Sequence, residues 1–100
     1  MANAESKVQK KLMEALSATF PKAYIRKIAQ SMYSHGGVPD LICCIDGEFV
    51  GIEVKTNTGK MSKLQERECR LIEDAGGLFF ACYGEKDIKY ILSVLESITK

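Results

Sequence analysis

The sequence predicts an α/β domain in which a mixed β-sheet is flanked by helices, with the element order αβββαβα. Two apolar runs, residues 41–45 and 49–55, are separated by Asp46-Gly47, a dipeptide typical of tight β-hairpins. A helical segment lies between the second run and a third run, residues 78–83, and a strand, a helix and a strand in succession favour parallel pairing. Amphipathic stripes near both ends of the chain predict two further helices.

The first helix is capped by Asn3 and continues to about residue 19. Its apolar residues recur at the spacing of one helical face. They are Val8, Leu12, Ala15 and Leu16. Pro21 ends the helix, because the residue before a proline avoids the helical conformation.

A first strand is predicted at about residues 23–28, and a loop made flexible by Gly36-Gly37 at residues 31–37. The loop contains His35, the one histidine of the chain. We interpret His35 as a surface or contact residue rather than a general base.

The hairpin register follows from its turn. If the two turn residues are central, Ile45 faces Glu48, and continuation of that register places Asp40 directly opposite Glu53. Because strand side chains alternate, Asp40, Glu53 and Lys55 share one face. The residues on the other face are apolar and are predicted to be core: Leu41, Cys43, Ile45, Val50, Ile52 and Val54.

The segment after the hairpin predicts a capped helix. Residues 56–60 are polar and turn-rich, which indicates an exposed connection. Ser62 and Gln65 have the spacing of a capping box, and Gly76-Gly77 suits the end of the helix.

The last two elements are a strand and a helix. The continuous apolar run of residues 78–83 predicts an interior strand buried on both faces, parallel and adjacent to the 49–55 strand. The final helix is predicted at about residues 85–98.

Length and charge set limits on function. The 100 residues suit a single domain, 1–100. The net charge of +1 lacks the strongly basic character that usually marks nucleic-acid binding, although lysines and arginines concentrate in the first two thirds.

Cysteine usage and hydropathy indicate the compartment. The four cysteines lack zinc-site spacing and are interpreted as reduced thiols. No apolar stretch reaches the length of a membrane span, and the N-terminus lacks the apolar region of a signal peptide. We therefore expect no membrane association and a cytoplasmic location.

The acidic residues of the hairpin suggest metal chemistry. Directly opposed carboxylates lie roughly 5 Å apart and repel each other, so Asp40 and Glu53 predict a cation between them. Mg²⁺ or Mn²⁺ suits such oxygen ligands, and the carbonyl of Val54 is a natural additional ligand. In the hydrolysis of a phosphodiester, Lys55 would orient the attacking water or stabilise the negative charge of the transition state. Gly51, on the same face, leaves room for a substrate or metal shell to approach.

These residues carry a family resemblance. Pro39-Asp40, a gap and Glu53-Val54-Lys55 resemble the motif of PD-(D/E)xK nucleases, and the element order resembles their restriction-endonuclease-like core. A wider pattern is similar to that of the compact, stand-alone viral and bacterial VRR-NUC nucleases. It comprises Gly37-Val38-Pro39-Asp40-Leu41-Ile42, Gly47, Ile52-Glu53-Val54-Lys55, Gly59-Lys60-Met61-Ser62 and Gln65.

The resemblance implies a metal-dependent endonuclease acting on DNA, often on branched or structured DNA such as four-way junctions, and a homodimer. It also implies that the cytoplasm is that of a bacterial or phage-infected cell. By the same resemblance the metal-binding acids are Asp40 and Glu53, the catalytic lysine is Lys55 and the helical glutamine is Gln65. An acid on the first helix, which joins the metal site, matches Glu5 best.

Three alternatives stay open. Glu14 also lies on the first helix, but it is offset from Glu5 by 2.5 turns, so only one of them faces the site. Gln65 either caps its helix or serves the active site, since we expect that one conformation cannot easily do both. The alternative function is a structure-selective DNA-binding module that does not cut and needs a partner for activity.

Overall fold

The computed structural model describes residues 4–29, 36–56 and 59–99. The elements occur in the predicted αβββαβα order. Their bounds are α1 (Ala4–Thr19), β1 (Tyr24–Lys27), β2 (Leu41–Ile45), β3 (Glu48–Val54), α2 (Lys63–Asp74), β4 (Leu78–Cys82) and α3 (Glu85–Ile98). The predicted Asn3 cap, the part of the predicted loop that holds His35, and residues 57–58 lie outside the described residues.

The four strands form one mixed sheet in the order β1-β2-β3-β4. The first three strands are antiparallel neighbours, and β3 pairs with β4 in parallel, as the crossover through α2 predicted. The predicted mixed α/β fold is therefore confirmed.

The hairpin forms in the predicted register. Asp46 and Gly47 have φ angles of 52° and 86°, which are the left-handed values of a tight hairpin turn. The β2–β3 pairing runs from Ile45 opposite Glu48 to Leu41 opposite Ile52.

The ends of α2 follow from its sequence. Ser62 caps the helix, and the capping box with Gln65 is complete on both sides. After the C-cap residue Ala75, Gly76 has a φ of 95°, a left-handed conformation that suits glycine. None of the described helices has both the length and the apolar character that crossing a membrane requires.

The core lies between the sheet and the α1–α3 pair. The predicted core face of the hairpin is buried throughout, and Leu12, Leu16, Ile91 and Leu95 from the two helices are each at most 1% exposed. Helix α2 covers the other face, where Ile72 lies against Gly51. The hairpin thus has two different faces. Helices α1 and α3 cover the apolar face, and α2 covers the face that carries the acids.

The prediction of an interior β4 buried on both faces is wrong. β4 is an edge strand that pairs only with β3, and four of its five residues are partly exposed. A continuous apolar run indicates that helices cover both faces of a strand, as α2 and α3 do here. It does not indicate whether a further strand lies beside that strand.

Candidate active site

The candidate site lies where the β2–β3 ladder stops. Its last pair is Leu41 and Ile52. Asp40 directly precedes β2, and its carbonyl accepts a 2.8 Å hydrogen bond from the Ile28 amide, so the β1 side of the strand remains paired. Continuation of the hairpin register by one residue places Asp40 opposite Glu53.

Pro39 explains why the ladder ends here. Backbone groups point alternately to the two neighbours of a central strand. The Lys55 amide donates to the Cys82 carbonyl of β4 at 2.8 Å, so the amide and carbonyl of Val54 point toward β2. In the continued register Val54 faces Pro39, which has no N–H to donate to the Val54 carbonyl. That carbonyl therefore receives no ladder bond from residue 39.

On the amide side of Val54, the Asp40 side chain accepts the hydrogen bond that a continued ladder would give to the Pro39 carbonyl. Its Oδ2 accepts a 2.8 Å hydrogen bond from the Val54 amide. This bond fixes the carboxylate against the end of β3, beside Glu53.

Glu53 is an unusual buried charge. Its exposed fraction is 4%, and it is the only residue in the buried polar set of the described chain. Burial, and then the nearby Asp40 carboxylate, raises the pKa of Glu53 to about 7, while Lys55 partly offsets the rise. The protein thus holds two carboxyl groups together at a cost in electrostatic free energy.

The two oxygens of Glu53 have different surroundings. Oε2 accepts a 2.8 Å hydrogen bond from Gln65 Nε2 and lies 3.6 Å from Lys55 Nζ. Oε1 is buried without a hydrogen-bond partner. A buried oxygen without a donor is costly, and a bound cation would satisfy it.

The side chain of Gln65 contacts both the helix cap and Glu53. Its Oε1 accepts from the Ser62 amide at 2.8 Å, and its Nε2 donates to Glu53. The expectation that one conformation cannot easily serve both is wrong, because the two ends of a side-chain amide have separate hydrogen-bonding roles.

The first turn of α1 lies at the same end of the sheet. Ala4 and Val8 line a cavity of about 410 Å³ together with Lys55 and Thr56. Glu5, beside Ala4, is half-buried.

Glu14 lies on a different side of α1. It is exposed and lines another cavity together with Lys27. Of the two acids, Glu5 is thus the one on the turn nearest the candidate site. Within the described part of the chain, however, no three aspartate, glutamate, histidine or cysteine side chains converge closely enough to hold a metal, so Glu5 stays apart from Asp40 and Glu53.

The interpretation of Gly51 as an open approach for substrate is wrong. A Cβ at this position would lie 3.0 Å from Pro39 Cγ and 3.1 Å from Ile72 Cδ1. The absent side chain instead lets α2 and Pro39 pack closely against β3.

The donor set fits a hard divalent cation. Two carboxylates and a backbone carbonyl are oxygen ligands of the kind that Mg²⁺ and Mn²⁺ prefer. The orphan Oε1 of Glu53 provides a specific structural reason to expect a cation in this pair. The missing N–H of Pro39 was not foreseen from the sequence, although the hairpin register already placed Pro39 opposite Val54, whereas the bond of Gln65 to the Ser62 amide belongs to the predicted capping box.

Comparisons with known proteins point to one family. The model of the VRR-NUC domain family matches residues 2–86. A solved structure described as a VRR_NUC domain has a TM-score of 0.77 and 26% sequence identity, and the alignment covers 92% of this chain and 97% of that one. Comparison with curated proteins gave no match. The family match spans most of the chain, and the chain therefore belongs to the VRR-NUC domain family of nucleases.

Proposed function

We propose that this chain is a Mg²⁺- or Mn²⁺-dependent endodeoxyribonuclease that hydrolyses phosphodiester bonds in branched or otherwise structured DNA. Membership of the VRR-NUC family makes it a nuclease-type DNA-processing domain. The observation that carries the metal-dependent proposal is the buried Oε1 of Glu53, which accepts no hydrogen bond. A second carboxylate, that of Asp40, lies close to the same side chain.

The proposed metal ligands are Asp40, Glu53 and the carbonyl of Val54. When bound, the cation would acidify a water molecule and neutralise charge on the phosphate. Glu5 is proposed as a further acidic contributor, because the first turn of α1 lies at the Lys55 end of β3.

Lys55 and Gln65 have proposed roles around the same carboxylate. The Lys55 ammonium, 3.6 Å from Glu53 Oε2, would orient the attacking water and stabilise the negative charge that develops on the phosphate. Its side chain is 18% exposed, so solvent screens this charge only partly. Gln65 would hold Glu53 in position rather than contact the reacting atoms.

We also propose that the protein acts as a homodimer, so that two sites can address two strands of a DNA junction. Support comes from the α2-side patch, defined as Tyr24, Phe49 and Leu71, whose exposed fractions are 54%, 45% and 49%. Phe49 lines one cavity with Tyr24 and another with Leu71, so the three residues form one surface. Such clustered apolar exposure is typical of interaction surfaces.

The proposed activity is tested with a cleavage panel. Duplex, flap, single-stranded and four-way-junction DNA are incubated with Mg²⁺, Mn²⁺ or EDTA. We expect cleavage only with a divalent cation, preference for a branched substrate, and a loss of at least about 100-fold in Lys55→Ala and Asp40→Ala, the scale that removal of electrostatic transition-state stabilisation produces.

Lys89→Ala is the matched control, because Lys89 is an exposed lysine on α3. It should cleave like the wild type. Cleavage that persists in EDTA, or that is unchanged in both site variants, would contradict the proposal, and tight binding to junctions with no cleavage would favour the non-cleaving alternative.

A further inference from the structure

We propose that Ser62, through its backbone amide, is a positioning residue of the active site, which fixes the side-chain amide of Gln65 and thereby determines which oxygen of Glu53 is free to bind metal. The inference rests on the proposed function only in taking Glu53 as a metal ligand.

The orientation of Gln65 follows from the chemistry of its two partners. A backbone N–H only donates, so the Ser62 amide must face Oε1, at 2.8 Å. An ionised carboxylate only accepts, so Nε2 must face Glu53, at 2.8 Å. Each contact therefore enforces the other, and the amide is held at both ends.

The orientation of Gln65 determines which oxygen of Glu53 receives a hydrogen bond. Gln65 and Lys55 both approach Oε2, and the other oxygen, Oε1, is buried without a partner. Oriented donors on one oxygen of a ligating carboxylate fix which oxygen is presented to a metal, and such outer contacts commonly change metal affinity by about 10- to 100-fold.

The capping box consists of two separate hydrogen bonds, one through the Ser62 hydroxyl and one through the Ser62 N–H. The Ser62 hydroxyl accepts from the Gln65 backbone amide at 3.1 Å, and this bond stabilises the first turn of α2. The Ser62 N–H forms the other bond of the box, to the side chain of Gln65. The two contributions of Ser62 are chemically separate, so substitutions can separate them.

Two substitutions at this position isolate the N–H. Ser62→Ala removes the hydroxyl and keeps the N–H, whereas Ser62→Pro removes both. Ser62 has φ −75° and ψ 167°, a conformation that proline adopts without strain. The difference in Mn²⁺ affinity between the two variants therefore measures the contribution of the Ser62 N–H.

The test is a double-mutant cycle with Mn²⁺ affinity, measured by calorimetry, as its readout. Ser62→Ala and Ser62→Pro are compared in the presence of Gln65 and again with Gln65→Met, which removes both ends of the amide at similar size. With Gln65 present, Ser62→Pro should bind Mn²⁺ about tenfold more weakly than Ser62→Ala. With Gln65→Met the two should bind alike, because Ser62 then has no amide to orient.

A proline effect of the same size in both backgrounds would mean that chain stiffness is responsible, and no effect with Gln65 present would equally overturn the proposal. A second readout needs no metal. In NMR spectra of the metal-free protein, the side-chain amide signals of Gln65 should be displaced from those of free glutamine in wild type and Ser62→Ala, and not in Ser62→Pro. If wild type fails to bind Mn²⁺ the proposed function fails, and the NMR comparison still decides whether Ser62 positions Gln65.

Discussion

Glu53 is the residue at which stability and function oppose each other. It is 4% exposed, and Asp40 and burial together raise its pKa to about 7, well above the ordinary value of 4.5. Without a cation, its ionised form therefore lowers the free energy of unfolding. In the proposed function, the same arrangement leaves Oε1 available to a metal.

The pH dependence of the metal-free protein follows from the sign of that shift. A carboxyl group whose pKa is raised on folding contributes stability below its unfolded pKa and loses it as pH rises through the folded pKa. In EDTA, the wild-type Tm should therefore fall between pH ~5 and ~8. Glu53→Gln cannot ionise, so its Tm should fall less and exceed that of wild type at the upper end.

Thermal denaturation in EDTA, followed by circular dichroism, checks this expectation. Glu96→Gln, at an exposed position of α3, is the matched control and should follow the wild-type curve. An identical pH slope in Glu53→Gln and wild type would show that the buried carboxyl does not control stability. Glu53→Gln should also lose cleavage, because a neutral amide is a poorer ligand for a divalent cation.

At the scale of elements, the end of the hairpin ladder builds the site. Pro39 has no N–H for the Val54 carbonyl, and the Asp40 side chain takes the Val54 amide. One interrupted backbone pair thus supplies a fixed carboxylate and a carbonyl next to Glu53.

Pro39→Ala should weaken this arrangement. Alanine has an N–H that can donate to the Val54 carbonyl and extend the ladder by one pair. We expect Mn²⁺ affinity to fall about tenfold, because a ligand oxygen becomes engaged. Calorimetric titration measures the change. The control is Pro21→Ala, at the other proline of the chain, which is exposed. It also makes the unfolded chain less stiff, as Pro39→Ala does, but it should bind Mn²⁺ like wild type. Equal affinity in Pro39→Ala and Pro21→Ala would remove the Val54 carbonyl from the proposed ligands.

Local sequence rules predicted the elements and the hairpin register, because Asp46-Gly47 and the capping box specify backbone geometry within a few residues. They failed where the answer depended on distant neighbours. The edge position of β4 was missed because an apolar run reports coverage by helices and not lateral pairing. The double role of Gln65 was missed because the capping pattern does not show where the free NH₂ group points.

At the scale of the whole molecule, the two faces of the sheet are unequally covered. The α1–α3 face holds the buried core, whereas the α2-side patch remains exposed. If this patch is the proposed dimer surface, the two active sites lie on the same side of the sheets as the interface, since Tyr24, Phe49 and Glu53 share one sheet face.

The dimer prediction is checked by light scattering coupled to size-exclusion chromatography. Wild type should have twice the chain mass, and the double variant Phe49→Ser, Leu71→Ser should have the mass of one chain, because it removes two apolar contacts of the patch. Tyr90→Ser is the control, since Tyr90 is a 65% exposed aromatic residue on α3. A wild-type monomer, or a dimer that survives the double substitution, would contradict the assignment.

Helix α2 contains no buried side chain. Apolar burial therefore holds it to the sheet only weakly, and the bond between Gln65 and Glu53 is a polar tie between the two. Hydrogen exchange should accordingly reveal a local opening of α2 at lower free energy than global unfolding. Each such opening removes Gln65 from Glu53 and dismantles the site while the sheet persists. The lifetime of the competent site is then set by one helix, and a divalent cation or DNA that binds only the closed form would slow exchange in α2 before it raised the stability of the core.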